Sequence, residues 1–206
     1  MKHFIATISS RKAAMLAGVA FITSVVIITI VDDFLLANFV IPGDTAALAR
    51  DIAANTELFG FAAIGYLLVL ALDAIIGLAL YVVLQPANKN SALVTSALRL
   101  LYAFTVTIGL FALVFHHIDV YGYASFKLVG YVFFAFHILA LGYSVFKSRY
   151  IPKSIGIVLM LASFTYIVFF VDLKLPATLM TLFMVTMGLA ELLLSIWLIA
   201  NRKKLP

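Results

Sequence analysis

The chain has 206 residues, of which 65% are hydrophobic and only 11% carry a charge. Soluble proteins have about 45–50% apolar and about 25% charged residues, so this composition excludes a water-soluble domain, a disordered tail and a nucleic-acid-binding module. The net charge of +5 therefore indicates basic residues that flank membrane spans. The absence of cysteine excludes disulfides, thiolate nucleophiles and iron–sulfur clusters.

Six apolar stretches are long enough to cross a bilayer, whose hydrocarbon core needs about 20 helical residues. They cover residues 13–31, 59–84, 92–115, 126–146, 154–171 and 176–200. Their apolar character is continuous, without the alternation that is typical of barrel strands. We therefore predict an all-α fold, in which residues 1–206 form a single membrane domain built as a six-transmembrane-helix bundle.

The first stretch and the loop after it set the beginning of this bundle. Asp32-Asp33 follows the stretch where a cleaved signal peptide would have small residues, so we interpret it as a signal anchor. The long connection at 32–58 contains Pro42-Gly43-Asp44, which is typical of a chain stop followed by a helix N-cap. The alanine-rich residues 45–55 then predict a short helix in this outer loop, and an ordinary connector is the alternative.

The Lys and Arg residues are distributed unequally between the two ends of the predicted spans. Ten lie on the side of the termini: Lys2, Arg11, Lys12, Lys89, Lys147, Arg149, Lys153, Arg202, Lys203 and Lys204. Three lie on the side of the 32–58 loop, namely Arg50, Lys127 and Lys174. The positive-inside rule therefore predicts a multi-pass protein of the bacterial cytoplasmic (inner) membrane with both termini in the cytoplasm. We call these two sides the Lys/Arg-rich face and the loop face.

Four ionisable residues lie within the predicted spans, and they are Asp73, Arg99, His137 and Glu191. A charge at the bilayer centre costs about 2.5–3.5 kcal/mol even on a lenient scale, so such residues pair, line a cavity or do chemistry. A rise of about 1.5 Å per residue places all four about 12–18 Å from the Lys/Arg-rich face, in one layer. We predict an ion pair between Asp73 and Arg99, because their helices are joined by the short turn at 85–90. Two acids and one arginine leave a charge of −1, unless one carboxyl or His137 is protonated.

Helical spacing places three tyrosines beside this layer. Tyr66 shares a face with Asp73, Tyr102 flanks Arg99, and Tyr166 lies at a comparable depth on the fifth helix. We take these tyrosines and the four ionisable residues as candidate ligand-binding residues, and we assign no catalytic residue. The alternative is a buried polar network that only holds the helices in register.

A metal or haem site has little support in the sequence. His116-His117-Ile118-Asp119 ends the third span, but adjacent histidines point to different faces of a helix, which favours solvated interfacial side chains. His137 lies about 16 Å from their level, too far for a haem to be shared between them. The sequence has no zincin, phosphate-loop or serine-elbow motif, so we expect no metal and no cofactor.

Short motifs along nearly the whole chain resemble a family of bacterial integral membrane proteins catalogued only as a domain of unknown function. These motifs are Pro42-Gly43-Asp44, Asp73, Gln85-Pro86-Ala87-Asn88, Arg99-Leu100, Gly122-Tyr123, His137 with Leu141-Gly142-Tyr143, Lys147-Ser148-Arg149-Tyr150-Ile151-Pro152 with Gly156, and Glu191 with Trp197-Leu198. The resemblance implies a six-helix membrane protein. It brings no established activity, substrate or cofactor.

Three functions from different classes fit the charged layer. It could bind a small amphiphilic or lipid-like ligand, with Arg99 receiving an anionic head group. It could modify a lipid or isoprenoid with His137 or Glu191 as acid or base, or a proton-coupled carrier could titrate Asp73 or Glu191. We favour ligand binding, because the sequence shows neither a nucleophile or metal motif nor the internal repeats of many carriers. The expected partners are membrane lipids and a small amphiphile, without nucleic acid, and no oligomeric state is predicted.

Overall fold

A computed structural model describes residues 8–35, 45–115, 120–166 and 175–206, and its regular elements in these ranges are all helical. Helix α1 covers Ser10–Thr29 and continues as a π-helical turn over Ile30–Leu35. The following helices are α2 (Thr45–Ala54), α3 (Thr56–Leu84), α4 (Lys89–Val114), α5 (Val120–Lys147), α6 (Lys153–Thr165) and α7 (Ala177–Asn201), with a 3-10 turn at Arg202–Lys204. The predicted all-α fold is confirmed, and the predicted loop helix is α2.

The number of full-length spans differs from the prediction. Helices α1, α3, α4, α5 and α7 are long and apolar enough to cross a membrane. The remaining predicted span, 154–171, begins as α6, but this helix has only 13 residues in the described part of the chain. Residues 167–171 lie outside the described ranges, as do Pro42-Gly43-Asp44 and residues 116–119. Within the described residues, the bundle therefore has five full-length helices and the 13 residues of a sixth.

The outer surface of the bundle is apolar. Phe61 and Phe104 are each 65% exposed and Leu161 is 63% exposed, and many other large apolar side chains point outward with them. A monomeric soluble protein does not leave so much contiguous apolar surface in water. Together with the long apolar helices, this surface identifies a multi-pass membrane protein.

The membrane helices form a closed ring. Each of α3, α4, α5 and α6 packs against the next helix in the chain, and α1 packs against both α3 and α7. Helix α2 is not part of this ring. The predicted contact of the helices joined by the turn at 85–90 is confirmed. Because the ring closes through α1, side chains from all six helices can meet in its interior.

Two glycines bring α5 and α6 into backbone contact. A Cβ atom at Gly142 would lie 2.7 Å from the Gly156 carbonyl oxygen, and one at Gly156 would lie 2.7 Å from the Gly142 carbonyl oxygen. These distances are far below van der Waals contact, so a larger residue at either position would push the helices apart. Small residues at such contacts are typical of helix packing in membranes.

The half of the bundle nearest the Lys/Arg-rich face is densely packed. The side chains that are at most 1% exposed there include Val83, Leu84, Ile138, Leu141, Val145, Leu159 and Leu198. These residues belong to one continuous apolar core that also includes the first half of α1. The core closes the interior of the described ring toward the Lys/Arg-rich face.

Candidate functional site

The arginine in the middle of α4 holds two acids from different helices. Arg99 donates from Nε and Nη2 to Oδ1 of Asp73 on α3, at 3.0 and 2.6 Å. Its Nη1 donates to Oε1 of Glu191 on α7 at 2.5 Å. The predicted ion pair of Asp73 and Arg99 is confirmed, and Glu191 is a second partner. Charge-assisted bonds of this length are strong, so the guanidinium joins α3, α4 and α7 at mid-membrane.

The histidine of this layer is neutral in the observed geometry. His137 Nδ1 lies 2.8 Å from the Thr95 carbonyl oxygen, which can only accept, so Nδ1 carries a proton. His137 Nε2 lies 3.1 Å from Nη1 of Arg99, which can only donate, so Nε2 carries none. Glu191 Oε1 is 3.9 Å from Nε2, beyond hydrogen-bond distance. We call Asp73, Arg99, His137 and Glu191 the ion cluster.

The charge of the ion cluster follows from this assignment. With both carboxyls ionised, two acids and one arginine sum to −1, and a neutral His137 adds nothing. A ring from α5 stabilises the positive charge, since the Arg99 guanidinium carbon lies 5.1 Å from the centroid of Phe134. In this ionisation state the uncompensated charge is negative and belongs to the two carboxylates.

A cavity of about 310 Å³ lies on the loop-face side of the ion cluster. Its lining comes from five helices of the ring, α1, α3, α4, α5 and α7, and from the residue that follows α6: Phe21, Ser24, Val25, Ile28, Tyr66, Val69, Leu70, Asp73, Arg99, Tyr102, Val106, Lys127, Tyr131, Phe134, Tyr166, Met187, Gly188 and Glu191. Each of these residues lies along its helix either at the level of the cluster or nearer the loop face. The cavity is thus on one side of the cluster, and the packed apolar core is on the other.

Most of the predicted site residues meet at this cavity. Tyr66, Tyr102 and Tyr166 line it together with three members of the ion cluster. His137 is fully buried and is not among the described lining residues, because it lies behind Arg99 and contacts the backbone of α4. The structure therefore separates the seven predicted residues into six that border the cavity and one that supports the cluster.

Three lining residues of α5 were missed in the sequence. Lys127, Tyr131 and Phe134 follow a helical spacing of four and then three residues, and His137 continues the same stripe. Lys127 was counted as an interfacial charge of the loop face, but its Nζ lies 5.7 Å from the ring centroid of Tyr66 and lines the cavity. Their position on the same helix face as His137 is the sequence feature that could have identified these three residues.

Each acid of the ion cluster uses one oxygen for Arg99. In the described part of the chain, Asp73 Oδ2 and Glu191 Oε2 accept no hydrogen bond, although Oδ1 and Oε1 do. Neither oxygen belongs to the buried atoms without a partner, so both are accessible. The two side chains are 6% and 9% exposed, and they border the cavity. The floor of the cavity therefore presents two carboxylate oxygens.

A group of hydroxyls joins α4 to α5 between the cluster and the Lys/Arg-rich face. Ser144 donates to the Ala140 carbonyl at 2.7 Å, and Thr95 Oγ1 lies 3.1 Å from Ser144 Oγ. Ser91 also hydrogen-bonds to the Ser144 hydroxyl. Since the Ser144 proton is directed to a carbonyl, the other two hydroxyls donate to Ser144, and this group fixes the register of the two helices.

Residues of metal-binding type do not cluster elsewhere in the described ranges. Among residues 8–35, 45–115, 120–166 and 175–206, no group of three or more His, Cys, Asp or Glu side chains could hold a metal ion. The sequence His116-His117-Ile118-Asp119 lies outside these ranges. The chemistry that can be described is thus that of the ion cluster and its cavity.

Comparison with known proteins agrees with the motifs in the sequence. The family model described as "Domain of unknown function (DUF4386)" matches residues 16–118 and 114–201, which include the whole ion cluster. An "Uncharacterized protein" of the archaeon Archaeoglobus fulgidus is 32% identical over 149 residues, which cover 70% of this chain and 86% of the relative. No solved structure matches the chain. The predicted resemblance is confirmed, and the chain belongs to the family described as Domain of unknown function (DUF4386).

Proposed function

We propose that this multi-pass membrane protein binds a small amphiphilic ligand in the cavity on the loop-face side of the ion cluster. The observation that carries the proposal is the cavity itself, which combines an apolar and aromatic lining with two accessible carboxylate oxygens at its floor. Ligand pockets are typically about 300–1,000 Å³ in volume, mostly apolar, with a few polar groups that fix orientation. The cavity of about 310 Å³ is in this range and suits a polar head group with part of an apolar chain.

The geometry supports a different role for Arg99 from the one expected from the sequence. An anionic head group would need free guanidinium donors, but Arg99 already donates to both acids and is only 2% exposed. We assign Arg99 the role of a buried counter-ion. Asp73 and Glu191 are then the polar groups that contact the ligand.

The proposed orientation determines where the ligand enters. If the Lys/Arg-rich face is cytoplasmic, as the positive-inside rule favours, the cavity lies in the outer half of the bilayer. The apolar core below the ion cluster closes the path to the cytoplasm. A ligand would therefore enter from the outer leaflet or from the external solution, with membrane lipids as the surrounding partners.

The two alternative functions have weaker support in this geometry. An enzyme that used His137 as acid or base would need this side chain at the cavity, whereas it is fully buried behind Arg99. Glu191 does border the cavity, but Arg99 engages its other oxygen. A carrier must also open its site toward the Lys/Arg-rich face, where the bundle is packed. One-sided access favours a binding protein.

The proposal can be tested by filling the cavity. Gly188 lines it, and a Cβ atom built there meets no atom within 4 Å, so Gly188→Leu fills the space without displacing a helix. Gly60 on α3 has equally open surroundings and does not line the cavity, which makes Gly60→Leu the matched control. Both variants should fold, because glycine is a poor helix former.

Native mass spectrometry of the protein released from mild detergent measures bound small molecules directly. We expect a co-purifying amphiphile on the parent and on Gly60→Leu, and we expect its loss from Gly188→Leu. Retention of the same molecule by Gly188→Leu contradicts the proposed site. A parent protein that stays unliganded, even after incubation with lipid extract from its own membrane, contradicts the proposed function.

A further inference from the structure

We propose that the ligand of this cavity carries a positive charge, so that the site binds the ammonium head group of an amine-bearing amphiphile. The inference rests on the proposed function and adds the chemical class of the head group. It assigns the ammonium to Asp73 Oδ2 and Glu191 Oε2, and the apolar chain to the lining above them.

The ion cluster has more acids than bases. The hydrogen bonds of His137 make it neutral, so Asp73, Arg99 and Glu191 sum to −1 when both acids are ionised. A monovalent cation makes the ion cluster neutral, whereas an anion adds a second negative charge beside it. The difference is large inside a bilayer, because charges interact more strongly at low dielectric. The other charge of the lining, the Lys127 ammonium, belongs to the part of the cavity nearer the loop face.

The floor of the cavity presents hydrogen-bond acceptors. An ionised carboxylate accepts hydrogen bonds and cannot donate them. Asp73 Oδ2 and Glu191 Oε2 are accessible and have no donor within the described residues. Acceptors at the floor of one cavity suit the N–H groups of a primary ammonium, while a phosphate, sulfate or carboxylate would place acceptors against acceptors.

The lining of the cavity is rich in aromatic rings. Six rings border it, and they are Phe21, Tyr66, Tyr102, Tyr131, Phe134 and Tyr166. The faces of such rings attract cations, and aromatic cages are used to bind ammonium groups. Two cations of this protein already use these rings, since Arg99 lies 5.1 Å from Phe134 and Lys127 lies 5.7 Å from Tyr66.

Lys127 provides an internal test of the sign of the ligand charge. It lines the same cavity seven residues before Phe134, which corresponds to about 10 Å along α5. Its ammonium should repel a cationic head group, so removing it should strengthen cation binding. For unit charges about 10 Å apart at an effective dielectric constant near 20, the expected change in affinity is about tenfold. An anionic ligand would show the opposite change.

Three probes with the same ten-carbon chain separate the classes of head group. Decylamine is cationic at pH 7, decyl sulfate is anionic and decanol is neutral. Their binding to the full-length protein in a maltoside detergent is measured by isothermal titration calorimetry. The variants are Glu191→Gln, Lys127→Gln and Gly188→Leu. Glu57→Gln, an exposed acid at the start of α3 outside the cavity, is the matched control.

We expect decylamine to bind more tightly than the other two probes and to lose affinity about 30-fold or more in Glu191→Gln, as when one partner of a buried charge pair is removed. Glu57→Gln should bind like the parent, and Lys127→Gln should bind more tightly. If Glu191→Gln does not fold, the test is the affinity of Lys127→Gln for decylamine. An affinity that is equal to or weaker than that of the parent overturns the inference.

The remaining outcomes distinguish this inference from the proposed function. Equal or tighter binding of decyl sulfate or decanol, abolished in Gly188→Leu, overturns the positive charge and leaves the cavity as a ligand site. If none of the probes binds the parent, or if decylamine binds Gly188→Leu as well as the parent, both proposals are overturned.

Discussion

Replacing Arg99 with leucine should destabilise the protein more than any other single change in its interior. The variant leaves the side chains of Asp73 and Glu191, which are 6% and 9% exposed, buried without their counter-ion. Removing one partner of a buried ion pair costs about 3–5 kcal/mol. Because two acids depend on Arg99, we expect its replacement to lower the free energy of unfolding by at least about 3 kcal/mol.

An upper limit follows from protonation of the two acids. Neutralising a carboxyl with an ordinary pKa of about 4 costs about 4 kcal/mol at pH 7, or about 8 kcal/mol for both. At pH 5 the same step costs about 1.4 kcal/mol for each acid. We therefore expect Arg99→Leu to lose about 3–8 kcal/mol at pH 7 and about 3 kcal/mol or less at pH 5.

Unfolding by SDS in mixed micelles, followed by far-ultraviolet circular dichroism and by the fluorescence of the single tryptophan, Trp197, measures this loss. The triple variant Arg99→Met, Asp73→Asn and Glu191→Gln is the control, because replacing a complete buried ion network by neutral groups is often nearly neutral in stability. An Arg99→Leu variant within about 1 kcal/mol of the parent at pH 7 would refute the counter-ion role. A loss of more than about 3 kcal/mol that does not become smaller at pH 5 would also refute it.

Two further predictions concern contacts between helices. Gly156→Ala should lower the free energy of unfolding by about 1–3 kcal/mol, because its Cβ would press on the Gly142 carbonyl; matching unfolding curves for Gly156→Ala and the control Gly60→Ala would contradict this contact. Tyr150 donates its hydroxyl to the Val83 carbonyl at 2.7 Å, and burial raises the pKa of Tyr150 from 10.0 to about 12. An acid with a raised pKa in the folded state weakens folding above its unfolded pKa, so the parent should lose about 1–2 kcal/mol between pH 10 and 12, after allowance for partial exposure. Between pH 10 and 12, the free energy of unfolding should fall less for Tyr150→Phe than for the parent. An equal fall in both proteins would contradict the raised pKa of Tyr150.

The helices could be predicted because the bilayer imposes a simple length requirement. Apolar runs of about 20 residues identify spans regardless of how the helices pack, and α1, α3, α4, α5 and α7 follow this rule. Of the sixth predicted span, 154–171, the described part of the chain contains the 13 residues of α6.

The layer of charges could also be predicted, since depth along a helix depends only on residue number. The Asp73–Arg99 pair followed from a short turn, which makes neighbours of the helices on either side. The bond from Arg99 to Glu191 could not be predicted, because α4 and α7 are not neighbours in the ring and meet only across its interior. The ring closes where α1 meets α7, and this contact depends on how closely the two helices fit. A Cβ atom at Gly18 on α1 would lie only 2.8 Å from the Ser195 carbonyl oxygen on α7.

The excess of acids over arginine in the ion cluster separates a structural role from a binding role. One arginine with one carboxylate would form a neutral pair, which holds two helices together and attracts no ion. Here Arg99 serves two carboxylates through one oxygen of each, so the second oxygens and one negative charge remain at the cavity. A purely structural network would gain by replacing Glu191 with glutamine, because the uncompensated charge is costly in a bilayer. On the proposed function, the same change removes the charge that attracts the ligand, so stability and affinity should move in opposite directions in Glu191→Gln.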